Sequence, residues 1–195
     1  MMSEYRFLTL AESNALQKWH HRLDDNRGDR ARLRQAERPE DILLTDAFFN
    51  FLQRMPESWR ERIPMLTSAA VAGLLSHVKK DKQALSRGYQ PKDKNKQKNT
   101  ASFAEQLATP AKTQKSPMSE LRFQQLQKSR TTDDFYRRVI RAIRLLDGKV
   151  NTPSLANDII HWHREFDNQV DRKPSNRLAV RWATDYFTAL PKETN

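Results

Sequence analysis

The sequence predicts an all-α protein, with an N-terminal helical domain over residues 1–78 and a C-terminal four-helix bundle over 118–195. A basic linker with one short helix, residues 79–117, joins them. Two observations carry this. Only four glycines occur in 195 residues. Apolar residues recur at three- and four-residue spacing, with few of the Val/Ile/Thr alternations that mark strands.

The first helix is expected from Thr9, where Thr9-Leu10-Ala11-Glu12 reads as a capping box. Leu8, Ala11, Ala15, Leu16, Trp19 and Leu23 make its buried stripe. His20 and His21 diverge by about 100° as helix neighbours and read as surface residues. After Asp24-Asp25-Asn26, Gly28 supplies a backbone break and Asp29 reads as the N-cap of a short arginine helix. Leu33 and Ala36 anchor that helix, and Pro39 closes it. A turn and a helix follow to Met55, with Phe48, Phe49, Phe51 and Leu52 as core residues. Pro56 and Pro64 bracket a basic turn, Trp59-Arg60-Glu61-Arg62. Met65 to Val78 is apolar nearly all round, the pattern of a central buried helix.

Residues 79–117 carry ten basic and three acidic side chains, so most of the chain's net charge of +11 sits there. Lys92 to Lys98 has no apolar face to bury and is expected to be mobile. Residues Ser102 to Ala108 interrupt the segment as a short amphipathic helix. Ser116-Pro117 opens the bundle, with Leu121, Phe123 and Leu126 inward and Arg122 and Lys128 outward. Thr131 and Asp134 are spaced to cap the next helix, whose inner stripe is Phe135, Val139, Ile143 and Leu146. Gly148 can end it in the left-handed conformation. Thr152-Pro153, as N-cap and first residue, starts a helix running through Leu155, Ile159, Ile160, Trp162, Phe166 and Val170. Lys173-Pro174 starts the last, with Leu178, Trp182, Tyr186 and Phe187.

A pI near 10.1 suits an anionic partner. A membrane is not expected, since no apolar run approaches the roughly 20 residues of a span. The N-terminal residues do not read as a signal peptide. With no cysteine, disulfides and thiolate chemistry are excluded, and a cytoplasmic location is expected. Arg27, Arg30 and Arg34 form one basic ridge, extended by Arg38, and Arg137, Arg141 and Arg144 a second. Guanidinium groups in a row repel each other, and a polyanion relieves this by forked, charge-assisted pairing. The competing reading is a solvated face partly neutralised by Asp29, Glu37, Glu40 and Asp41. The candidate nucleic-acid-binding set is Arg27, Arg30, Arg34, Arg122, Lys128, Arg130, Arg137, Arg138, Arg141 and Arg144.

Catalytic patterns are poor. Asp158, His161 and Glu165 have the spacing of half a metal site, but no second histidine pair matches, and an ordinary helix pair reads better. No phosphate loop or nucleophile elbow occurs. No enzyme, metal or cofactor is expected. A stand-alone helical nucleic-acid-binding or regulatory protein is the alternative, although no helix-turn-helix spacing is present.

Several stretches together resemble one family. Arg27-Gly28-Asp29-Arg30-Ala31-Arg32-Leu33-Arg34 with Pro39 looks like the N-terminal arginine helix of the CasB small subunit of type I-E CRISPR Cascade complexes. Residues 102–108, the Arg122-Phe123-Gln124-Gln125-Leu126 segment, Tyr136-Arg137-Arg138-Val139 and Arg181-Trp182-Ala183-Thr184-Asp185-Tyr186-Phe187 resemble later family segments in the same order. Gln35 stands where relatives often carry another arginine. The resemblance implies an all-α, non-catalytic subunit of a crRNA-guided surveillance complex. It also implies large and backbone subunits and a second copy of the chain as partners. The expected role is to hold target DNA strands once the guide RNA has opened the duplex into an R-loop, in antiviral defence.

Overall fold

The computed structural model describes residues 7–82, 101–110 and 115–191. Among them, helices account for nearly all regular structure, as the apolar spacing predicts. In the first half these are α1 (Leu10–Arg22), α2 (Arg27–Gln35), α3 (Pro39–Ile42), α4 (Asp46–Arg54), α5 (Glu57–Arg62) and α6 (Met65–Ser76). The short α7 (Phe103–Ala108) precedes α8 (Glu120–Gln127), α9 (Thr132–Leu145), α10 (Thr152–Phe166) and α11 (Leu178–Ala189). A 3-10 turn, Pro174–Asn176, leads into α11. Two-residue strands β1 (Lys80–Asp81) and β2 (Lys149–Val150) pair in parallel.

Helix α6 is the axis of the molecule. Every residue from Thr67 to Ser76 is buried, which its composition of small and aliphatic residues allows. It packs against α2, α3 and α4 from its own half and against α9 and α10 from the other. Gly73 permits the closest approach: a Cβ there would lie 2.2 Å from both Ile42 Cδ1 on α3 and Tyr136 Oη on α9. One hydrophobic core therefore runs through both halves.

The segment after α6 is stitched to the second half. Lys80 faces Lys149 across the β1–β2 bridge, and the Lys82 N–H donates to the Val150 carbonyl at 2.9 Å. Asn151 Nδ2 donates to the Ala101 carbonyl at 3.0 Å. The described chain on either side of residues 83–100 is thus tied to adjacent residues, Val150 and Asn151. Lys92 to Lys98 lie outside the described residues. The α7 helix is a core element: Phe103, Ala104, Leu107 and Ala108 are buried against α11 and its surroundings. The Ser102 hydroxyl caps it by accepting from Glu105 N–H and donates to Asp185 Oδ2 at 2.8 Å.

Several local expectations are corrected. The N-cap of α2 is Asn26, which accepts from Asp29 N–H at 3.1 Å, and Gly28 and Asp29 lie inside the first turn. Ala11 faces solvent, while Glu12 is fully buried and paired with Arg62 at 2.6 Å. His20 is buried too, its Nε2 2.9 Å from the Val78 carbonyl. The basic turn between Pro56 and Pro64 is the helix α5, with Trp59 inward. The cap of α10 is Asn151, and Thr152 is its first residue. Phe49, Leu121, Phe166, Val170 and Phe187 are exposed. On α4, α8 and α11 a neighbouring apolar residue (Phe48, Phe123 and Tyr186) is buried instead, and Val170 lies beyond the end of α10.

Candidate nucleic-acid interface

The α2 ridge is built on Leu33, fully buried beneath it, and on the Asn26 cap. Its cations are not equivalent. Arg30 forms an ion pair with Asp24 at 3.0 Å, and only 15% of its side chain is exposed. Arg32 pairs with Asp46, and Arg38 with Asp41 at 3.5 Å. Arg27 is exposed at the first helical position. Arg34 is held by a neutral group: its Nε donates to the Ser76 carbonyl at 2.7 Å. That carbonyl belongs to the C-terminal end of α6, where the helix dipole favours a cation. The rest of the Arg34 fork keeps its charge for another anion.

His77, one residue on, locates the second ridge. Its Nε2 is buried with no hydrogen-bond partner. Burial first, then the charges of Arg34 and Arg144, hold its imidazole down at about 4, so it is neutral at pH 7. The charges of Arg34 on α2 and Arg144 on α9 therefore both bear on one side chain. Lys79 and Lys80 follow His77, and the strand pairing sets Lys80 opposite Lys149. These three lysines are exposed. Gly148, with φ +72°, brings its backbone under Lys79, and a Cβ there would lie 2.8 Å from Lys79 Cγ.

The second ridge leads away from this junction. Its helix α9 begins at the Thr131 cap, which accepts from Asp134 N–H at 3.1 Å. A groove of about 470 Å³ runs between α8 and α9. Arg122, Arg138, Arg141 and Arg144 line it against one carboxylate, Asp134. Asp134 takes the Arg138 Nε at 2.7 Å, and Arg138 also donates to the Gln125 carbonyl. Arg138 is thus spent partly on structure. Arg122, Arg141 and Arg144 are exposed, and Arg137 is exposed on α9 outside the groove lining. Lys128 and Arg130 stand at the α8–α9 turn, also exposed and outside the groove. The groove brings together Arg122, Arg138, Arg141 and Arg144, and the charges of Arg34 and Arg144 both bear on His77. Arg30 bears on Arg34 within α2, while Arg27, Lys128, Arg130 and Arg137 line no part of the groove.

Sequence reasoning missed that Arg34 reaches the end of α6 beside His77 and that Lys80 faces Lys149. A two-residue bridge between segments some 70 positions apart leaves no periodic signal. The Lys79-Lys80 pair alone was legible as local charge.

The polar set on α10 has other partners. His161 Nε2 lies 2.9 Å from Glu165 Oε1, and Arg181 reaches His161 Nδ1 at 3.2 Å. Asp158 Oδ2 accepts from Trp182 Nε1 at 2.8 Å. Among the described residues, no group of three or more histidines and carboxylates could hold a metal ion. No helix of the described residues is long and apolar enough to cross a membrane.

The family model for CRISPR-associated protein Cse2 matches residues 29–187. The chain belongs to the Cse2 family. That is the CasB small-subunit family of type I-E Cascade that the ordered segments resemble. No curated protein and no solved structure matches. The match runs from within α2 to within α11, so the second ridge and all of the first but Arg27 fall within the family region. The chain is accordingly a small subunit of a CRISPR Cascade complex.

Proposed function

We propose that this Cse2 subunit holds target DNA strands by their phosphates, without reading sequence and without catalysis, while a crRNA guide pairs with the target. The observation that carries the reading is the arginine-lined groove between α8 and α9, and the charges of Arg34 and Arg144 both bear on His77. Two ridges from separate halves become one basic line, from α2 across the lysines of the β1–β2 bridge into the α8–α9 groove. Four arginines against one carboxylate in that groove suit a polyanion. Arginine forks without a base-reading helix fit backbone contact, with sequence left to guide pairing. The partners under this reading are target DNA, crRNA, the large and backbone Cascade subunits and a second copy of the chain. The compartment is the cytoplasm.

The test is a mobility shift on a guide-matched duplex with the assembled complex, over a range of salt. Arg34→Gln and Arg144→Gln should each weaken binding and lower the salt slope by about one. Arg141→Gln and Arg122→Gln should behave alike. A quadruple Lys92, Lys94, Lys96 and Lys98→Gln variant removes more charge and should cost less, because under this reading the arginine forks, and not net charge, hold the phosphates. Equal or greater loss from the quadruple variant would show that diffuse charge, not the arginine line, holds the DNA.

A further inference from the structure

Beyond the basic line, four aromatic rings form a ladder at the other side of α8. Trp182 stacks with Phe135 at 6.4 Å and 19°, Phe135 on Trp162 at 4.2 Å and 8°, and Trp162 on Phe166 at 5.1 Å and 14°. The first three are buried. Phe166, the last residue of α10, is 47% exposed. One of its faces is taken by Trp162, so a planar apolar surface ends the ladder in solvent.

Phe166 lines a cavity of about 210 Å³ together with Trp162, Trp182, Gln127, Ser129 and Glu165. The charges are arranged unevenly around it. Ser129 lines it, and its two neighbours in the chain, Lys128 and Arg130, are both exposed. The wall carries the carboxylate of Glu165, whose Oε1 accepts from Leu178 N–H at 2.8 Å and lies 2.9 Å from His161 Nε2. A carboxylate in the wall disfavours a phosphate inside, and two cations outside favour phosphates there. An uncharged planar ring within and anionic groups at the rim is the pattern of a nucleotide entered base first.

We propose that this cavity holds one unpaired nucleobase of a single DNA strand, stacked on Phe166, with the flanking phosphates on Lys128 and Arg130. This deepens the basic-line reading and rests on it. Helix α8 connects the two places: Gln125 and Leu126 line the arginine groove, and Gln127 lines the cavity. A strand leaving the groove over the end of α8 crosses Lys128 and Arg130 before it reaches Phe166. Stacking tolerates any base, so such a contact adds affinity without sequence preference.

The full-length chain is titrated at low salt with fluorescently labelled oligothymidine and with an abasic oligonucleotide of equal length. The wild type should bind oligothymidine more tightly, and only oligothymidine should quench tryptophan fluorescence. Phe166→Ala should bind oligothymidine roughly tenfold more weakly and the abasic strand unchanged. Phe166→Tyr keeps the ring and the fold and should restore tight binding. Lys128→Gln and Arg130→Gln should weaken both strands alike. Equal affinity of the wild type for both strands, or an unchanged ratio in Phe166→Ala, overturns the base-stacking proposal and leaves the basic line standing. Binding of neither strand by the wild type overturns the basic line and this proposal together.

Discussion

Asp158 shows how one residue can set a pH dependence. Its burial in α10, opposed by the Trp182 hydrogen bond and the Arg181 charge, pushes its pKa up from 3.8 to about 7. Between pH 4 and 7 the folded chain thus holds a proton that the unfolded chain has lost. Stability from this group is present at low pH and falls as pH rises through that window. Asp158→Asn keeps an acceptor for Trp182 and carries no charge. Its Tm should exceed the wild type's modestly at pH 5 and by clearly more at pH 8, with about 2–4 °C for each kcal/mol in a chain of this size. A gain that is the same at both pH values would show that ionisation of Asp158 is not its cause. No such role was legible in the sequence, where Asp158 read only as three residues before His161. What burial does to a carboxylate depends on α11, which closes over it from 24 positions away. The arginines were legible as residue types, but their partners were not. Arg30 and Arg32 go to Asp24 and Asp46, and Arg34 to a carbonyl, by contacts that helix spacing alone does not specify.

Elements were read best where local chemistry decides them. Thr9 with Glu12 and Thr131 with Asp134 cap two helices at the spacing their sequences show, and Ser102 with Glu105 caps a third that was read only as amphipathic. Those caps differ in what else they hold, which makes a prediction. Thr131→Ala removes only an N-cap bond at an exposed helix end and should cost about 1 kcal/mol. Ser102→Ala removes the cap of α7 and also its bond to Asp185, in a segment that packs into the core. It should cost about twice as much, measured by urea denaturation. Equal losses would mean that the Asp185 contact contributes nothing net. Elements were misread where two candidates compete nearby. Asn26 and Asp29 can both cap, and the helix starts at the earlier one, which lets the Asp29 carboxylate bond Asn50 Nδ2 at 3.1 Å. Exposed Phe166 and Val170 follow from the end of α10, since the apolar spacing outlasts the helix that it describes.

On the scale of the whole molecule, composition and packing mark different boundaries. The sequence changes character after Val78, yet buried contacts continue past it: α6 packs on α9 and α10, and α1 on α10. Phe7 N–H donates to Asn157 Oδ1 at 2.8 Å, and Gln17 Nε2 to Asp81 Oδ2 at 2.8 Å, while Thr152 N–H donates to Asp81 Oδ1 at 3.0 Å. We propose that the two halves unfold as one cooperative unit, because removing either would expose the apolar surface of α6. The four tryptophans make this measurable: Trp19 and Trp59 report on the first half, and Trp162 and Trp182 on the second. Replacing one pair with phenylalanine leaves the other as the only tryptophan signal. Each pair should be replaced in turn, and the resulting fluorescence melt compared with the helical circular dichroism of the same variant. A single cooperative unit makes the two curves coincide within each variant, whatever stability the replacements cost. Separate transitions by the two probes would instead assign α6 to one half and make its contact with α9 and α10 a docking surface. The distinction bears on the basic line, since Arg34 and Arg144 hold a fixed spacing only if the core between them is continuous.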